Sequence, residues 1–232
     1  MHQFIPSAPL TAPTRMSRNG CYKTHGQDHG DHGVFPGGGG ASGPDAQENF
    51  YVGTNAGQAS DTDTCYNIGI GYSAAYSLNS GDNNVMIGKQ AGACLTSGQH
   101  NTFLGCHSGY NSNGSCNFFA VNGSGCHNDT GISNVFIGFH AGAGTGAVTK
   151  DASHNIAMGQ GAGACLDSGD HNIFLGSQSG GCTYLSYGCN IYMGWCAGKA
   201  NRSGYKNIVC LLYTSDAADE GLGVDLGGRR II

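Results

Sequence analysis

From Asn49 onward the chain repeats one pattern: an asparagine, three mostly apolar residues, a glycine, two variable residues, then Ala or Ser and a second glycine. The copies read NFYVGTNAG at 49, NIGIGYSAA at 67, NVMIGKQAG at 84, NTFLGCHSG at 101, NFFAVNGSG at 117, NVFIGFHAG at 134, NIAMGQGAG at 155, NIFLGSQSG at 172 and NIYMGWCAG at 190. A tenth begins at Asn207. Successive asparagines are 18, 17, 17, 16, 17, 21, 17, 18 and 17 residues apart. Three apolar residues between Asn and Gly are too few for a helix and suit a short strand. Below, the asparagine is position 1, the strand positions 2 to 4, the first glycine position 5 and the second position 9.

One copy predicts one coil with sharp corners. The glycines at position 5 (Gly53, Gly71, Gly88, Gly105, Gly138, Gly159, Gly176 and Gly194; Val121 is the exception) end each strand and supply corner conformations. A lone coil is unstable. Ordering 17 residues costs roughly 25 kcal/mol, and two or three buried aliphatic side chains return about 1.5–3 kcal/mol each. Stacking must supply the rest through inter-coil hydrogen bonds and a shared core. The expectation is therefore an all-β protein: a parallel β-solenoid (β-roll) of about nine 17-residue coils over 49–209, behind a disordered leader over 1–48.

Strand side chains alternate in direction. Positions 2 (Phe50, Ile68, Val85 and so on) and 4 (Val52, Ile70, Ile87 and so on) are aliphatic in most copies, and we assign them to the interior. Position 3 (Tyr51, Gly69, Met86, Phe103, Phe119, Phe136, Ala157, Phe174, Tyr192) then points outward as an aromatic stripe that requires a covering surface. That cover is either the second half of each coil or a neighbouring chain, which would make Phe136 and Phe174 oligomer contacts. Position 1 (Asn49, Asn67, Asn84, Asn101, Asn117, Asn134, Asn155, Asn172, Asn190) is expected to form a structural amide ladder.

Composition fits this picture. Glycine is 42 of 232 residues, about 18% against a usual ~7%. Charged residues are 11%, against a usual ~25%. A net charge of -5 argues against an electrostatically driven nucleic-acid binder. No apolar run approaches the ~20 residues of a membrane span. No secretory signal is visible at Met1.

The leader holds all five prolines and a PGGGG run from Pro36, as in a flexible linker. Within it, His25, His29 and His32, near Cys21, Asp28 and Asp31, are candidate zinc or nickel ligands, although no second cysteine completes a set. Cys94, Cys165 and Cys182 share one repeat position. Stacking is expected to bring Cys165 and Cys182, in adjacent coils, within disulfide reach. Cys65, Cys106, Cys116, Cys126, Cys189 and Cys196 read as small buried apolar residues. His100, His154 and His171 each precede a repeat asparagine and are expected to form a solvent-facing polar ladder. A pectinase-like enzyme would need clustered carboxylates, and the repeats offer few acids (among them Asp82, Asp129, Asp151, Asp167 and Asp170). No catalytic triad, phosphate loop or dinucleotide fingerprint is recognisable, so neither catalysis nor a cofactor is expected.

The tail is expected to be foreign to the protein. Cys210 to Glu220 (CLLYTSDAADE) resembles a translated sequencing-library adapter, and Gly223 to Ile232 (GVDLGGRRII) resembles the other end of that adapter. The codons between leave room for a sample index. Residues 210–232 are accordingly expected to have no native fold, with the natural C-terminus missing.

The unit N-[VIT]-[FAY]-[IL]-G-x-x-[AS]-G, followed by a polar segment, resembles the repeats of tail-fibre-domain proteins of phages and bacteria. More loosely it is similar to the head repeats of trimeric autotransporter adhesins. The resemblance spans about Asn49 to Val209. It implies a left-handed parallel β-roll, a homotrimer, and work as a surface fibre or adhesin against a cell-surface or glycan receptor, outside the cell or on a virion. The longer units, the many cysteines and the lack of an anchor or chaperone domain depart from that pattern. A glycan- or ice-binding solenoid is the alternative, though no regular threonine column is present.

Overall fold

The computed structural model describes residues 15–16, 22–23, 44–45, 47–144, 151–181, 188–199, 201 and 204–210. Two short strands, β1 (Arg15–Met16) and β2 (Tyr22–Lys23), pair antiparallel. Ten three-residue strands follow, one per repeat: β3 (Phe50–Val52), β4 (Ile68–Ile70), β5 (Val85–Ile87), β6 (Thr102–Leu104), β7 (Phe118–Ala120), β8 (Val135–Ile137), β9 (Ile156–Met158), β10 (Ile173–Leu175), β11 (Ile191–Met193) and β12 (Ile208–Cys210). They form one parallel sheet in sequence order and strict repeat register, with Phe103 opposite Met86 on one side and Phe119 on the other. The fold is a β-solenoid, without helix among the described residues. Nine intervals at a strand spacing of ~4.8 Å make the rod about 43 Å long. The tenth strand includes Cys210, opposite Met193, one residue into the adapter-like tail. Backbone pairing makes no demand on which side chain stands there.

The inside and outside of the strands are the reverse of the sequence expectation. Position 3 is the core: Tyr51, Met86, Phe103, Phe119, Phe136, Ala157, Phe174 and Tyr192 are all buried. Positions 2 and 4 face out, half-buried or exposed, in every strand. The reason is parity. Position 3 lies on the same side of the strand as the asparagine at position 1, and that asparagine is turned inward, where its amide is hydrogen-bonded. The aromatic stripe is covered by its own coils and makes no oligomer contact. Phe103, Phe119 and Phe136 stack with centroids 5.1 and 4.9 Å apart and planes within 10° and 5°. Facing them at position 8 is a column of small buried residues, including Ala91, Ser108, Ser124 and Ala141.

The second half of each coil keeps the ladder going without strand geometry. Position 7 has a left-handed backbone, as at Gln90, His107 and His140 (φ 54 to 56). Its N–H donates to the position 6 carbonyl of the preceding coil, as from His107 to Lys89 at 2.9 Å. The position 9 N–H donates onward to the position 8 carbonyl of the next coil, as from Gly109 to Ser124 at 2.9 Å. Two glycine requirements are explicit. At Gly105 (φ +128) a Cβ would sit 2.7 Å from the Val121 carbonyl carbon in the next coil. At Gly125 (φ +57) it would sit 2.4 Å from the Phe119 ring. The first glycine admits the neighbouring backbone, and the second admits the core ring of its own coil.

Candidate functional site

The asparagine spine runs the length of the rod. Each side chain is fully used. Asn84 Nδ2 donates to Asn67 Oδ1 at 3.0 Å and to the Gly98 carbonyl at 2.9 Å. Its Oδ1 accepts both the Asn101 backbone N–H at 2.9 Å and Asn101 Nδ2 at 3.1 Å. The backbone N–H of each repeat asparagine thus finds its acceptor in the side chain of the coil before. The pattern recurs through Asn67, Asn134, Asn155, Asn172 and Asn190 and reaches Asn207. All nine asparagines from Asn49 to Asn190 are buried. Only an amide does this work. A carboxylate lacks the donor, and a hydroxyl cannot reach both neighbours.

The start of the spine depends on a residue the repeat pattern does not contain. Among the described residues, no coil precedes Asn49. Asp45 Oδ1 accepts its backbone N–H at 2.8 Å and that of Gln47 at 2.9 Å, and Asp45 Oδ2 accepts Asn49 Nδ2 at 3.1 Å. Asp45 therefore stands in for the missing asparagine, and the solenoid begins four residues before the boundary the repeat suggested. Asp followed four residues later by the first repeat Asn was the available signal.

A second set of polar acceptors lies two residues before the asparagine in four coils, at Asp82, Ser115, Ser153 and Asp170. Side chains there accept the backbone N–H of the equivalent residue one coil earlier. Cys65 donates to Asp82 at 2.8 Å, Gln99 to Ser115 at 3.0 Å, Ile132 to Ser153 at 3.1 Å and Ser153 to Asp170 at 2.7 Å. Asp82 and Asp170 are thus engaged as backbone acceptors. Asp129, Asp151 and Asp167 lie in other segments of their coils.

The histidines and cysteines fall in separate columns. His154 and His171 are exposed, with rings stacked at 4.8 Å and 28°, and His100 is exposed three coils earlier. Among the described residues, no three His, Cys, Asp or Glu side chains are placed to hold a metal. His25, His29 and His32 lie outside the described residues, as does Cys182. The bridge expected with Cys165 is therefore not described, and the Cys165 thiol donates to the Gly181 carbonyl at 3.1 Å. Of the cysteines expected as buried fillers, Cys65 and Cys126 are buried and four are not. Cys116 and Cys189 are exposed, because the residue before each asparagine takes a left-handed backbone (φ 61 and 63) that turns its side chain to solvent. Cys106 and Cys196 are half-buried, and Cys65 is buried and disulfide-bonded. Among the described residues, only Cys126 is a buried thiol; it lies 3.1 Å from His127 Nδ1, and burial raises its pKa.

Burial also acts on two core phenols. It raises the pKa of Tyr51, whose hydroxyl donates to Ser60 Oγ at 3.2 Å, and that of Tyr192, which accepts from Asn201 Nδ2. No described helix is long and apolar enough to cross a membrane.

The class these features define is a parallel β-solenoid repeat protein, held by an internal asparagine spine. No family model, no curated protein and no solved structure matches the chain.

Proposed function

We propose that the chain is a non-catalytic structural or adhesive fibre segment, displayed outside the cell or on a virion, whose rod presents a surface to a cell-surface or glycan receptor. In this reading copies associate side by side, as in the homotrimers of the fibres and adhesins its repeats resemble. The observation that carries it is the use of the polar side chains. Asparagines, Asp82, Asp170, Ser115 and Ser153 are spent on hydrogen bonds between coils and Asp45 on the start of the spine, which makes a stiff, regular rod. Beads coated with the chain should hold cells or surface polymers under flow, and heat-unfolded chain should not. Beads that hold no surface, or a chain that cleaves a polysaccharide and releases new reducing ends, would overturn the reading.

A glycan-binding module is the second reading. It is favoured by three exposed rings at position 6, Tyr72 at 51%, Phe139 at 49% and Trp195 at 61%, since an exposed ring offers an apolar face to a sugar. Retention on a glycan array that disappears in Trp195→Ala would support it.

A further inference from the structure

The exposed apolar surface is confined to one side of the rod. Fifteen large hydrophobic residues are exposed among those described, and fourteen lie between two residues before the repeat asparagine and position 6. Tyr76 is the fifteenth. At the centre of this side are the position 2 and position 4 columns, which the sheet aligns in register along its whole length. Ile68, Ile87, Phe118, Ile156, Met158, Met193 and Ile208 are 36–60% exposed. These are β-branched, aromatic and thioether side chains in a continuous array, which is the composition of the buried face of a sheet.

We propose that this face is covered by a second copy of the same chain, sheet against sheet, in a two-fold pair. The area supports it. The strand segment from asparagine to glycine spans about 13 Å, so over a rod of about 43 Å the face covers about 560 Å² in projection. That is the upper end of the about 300–600 Å² that patches on monomers reach, and two such faces together bury about 1,100 Å², above the roughly 1,000 Å² a specific interface needs. The rings of Tyr66, Tyr72, Phe139 and Trp195, all exposed, stand at positions flanking the strand columns. A second copy also matches the chemistry. Positions 2 and 4 carry no charged residue, so their complement is another apolar sheet, and two such sheets pack about 10 Å apart. The pairing differs from the trimer implied by the resemblance. In a three-fold ring each chain offers two different surfaces to its neighbours, whereas a two-fold pair uses one patch twice, and the described residues show one such patch. The inference replaces the homotrimer of the fibre reading and is independent of its adhesive role, since a solenoid of any function with this face would pair in the same way.

The test uses the full chain under reducing conditions, which removes intermolecular disulfides at the exposed thiols. Sedimentation equilibrium at micromolar concentration should give the mass of two chains. Ile87→Lys with Ile156→Lys places charges on the outward face and leaves the core untouched. It should halve the sedimenting mass while the circular dichroism and the thermal melt of the coils persist. A wild-type monomer, a wild-type trimer, or a dimer indifferent to the two lysines would each overturn the proposal. Retention of cells on beads reports separately on the fibre reading.

Discussion

Replacing Asn84 by alanine perturbs the spine at one of its most regular points. The amide is fully buried. Its loss strips the Asn101 backbone N–H of its acceptor and the Gly98 carbonyl of its side-chain donor, both inside the coil. Each buried group left without a partner costs about 1–3 kcal/mol, so two cost about 4 kcal/mol, against a typical domain stability of about 5–15 kcal/mol. Solenoid coils open locally, so hydrogen exchange at the Asn101 amide is the direct assay. At 1.4 kcal/mol per factor of ten, about 4 kcal/mol means roughly a thousandfold faster exchange. An acceleration below tenfold would refute the claim that the spine, rather than the core, holds adjacent coils together here. Asn84→Asp adds a pH signature. The carboxylate keeps an acceptor toward Asn101 but turns an oxygen on Asn67 Oδ1 and the Gly98 carbonyl, where a donor is needed. Burial then raises its folded pKa above the ~3.9 of the unfolded chain. The charge-dependent part of the destabilisation is absent below the unfolded value, grows as pH rises toward the folded value and is constant above it. The gap between Asn84→Asp and wild type should be narrower at pH 3 than at pH 7. An equal gap at both would count against a buried charge.

The remaining predictions test the core, the start of the spine and the phenols. Phe103→Ala, in the stacked ring column, should cost about 3–5 kcal/mol. Adding Ser112→Leu in the same coil should recover part of that loss in thermal melts, because the Ser112 hydroxyl is buried without a hydrogen-bond partner; a double variant no more stable than Phe103→Ala would rule out compensation. Asp45→Ala should speed exchange at the Asn49 amide about tenfold, for a hydrogen bond worth roughly 1.4 kcal/mol, and leave Asn101 unchanged. Burial holds Tyr51 and Tyr192 above the ordinary tyrosine pKa of 10.0. The stability this contributes is fully present below pH 10 and is lost as pH rises toward the folded values. Tyr51→Phe with Tyr192→Phe should therefore shrink the drop in urea midpoint between pH 8 and pH 11, and a drop as large as that of wild type would contradict it.

The solenoid, its register and its corners are legible in the sequence because the repeat forces them. Asparagine at position 1 and glycine at position 5 recur too regularly for any other stacking. The orientation of the strands was also legible, through a different residue. Treating the aliphatic columns at positions 2 and 4 as core follows hydrophobicity alone. Yet the asparagine fixes the answer: a ladder whose amides must be shielded from water points into the coil, and position 3 shares its parity. What the repeat could not reveal are features that break it. Asp45 belongs to no copy. The acceptors two residues before the asparagine change identity among Asp82, Ser115, Ser153 and Asp170, so no column of identical residues marks them.

A subtler signal runs within each coil, between positions 3 and 12. Where position 3 is a ring, position 12 is smaller and polar: Tyr51 with Ser60, Phe103 with Ser112, Phe119 with Asn128, Tyr192 with Asn201. Where position 3 is aliphatic or glycine, position 12 is leucine: Gly69 with Leu78, Met86 with Leu95, Ala157 with Leu166. The two phenols go further, since Ser60 and Asn201 supply their hydrogen-bond partners. The exception at position 9 has the same cause. Ala75 is the one residue there that is not glycine, and it sits in the coil whose position 3 is Gly69. A Cβ at Gly125 would strike the Phe119 ring at 2.4 Å, whereas at Gly69 a Cβ would sit 2.7 Å from the Tyr51 ring of the preceding coil and 3.4 Å from the Ala75 methyl of its own. The volume missing from the strand is taken up by the Tyr51 ring of the coil before and the Ala75 methyl at the corner. Neighbouring coils thus share in closing each cross-section. The chain can vary its rings from copy to copy while the backbone of the rod, and with it the spine, stays in register.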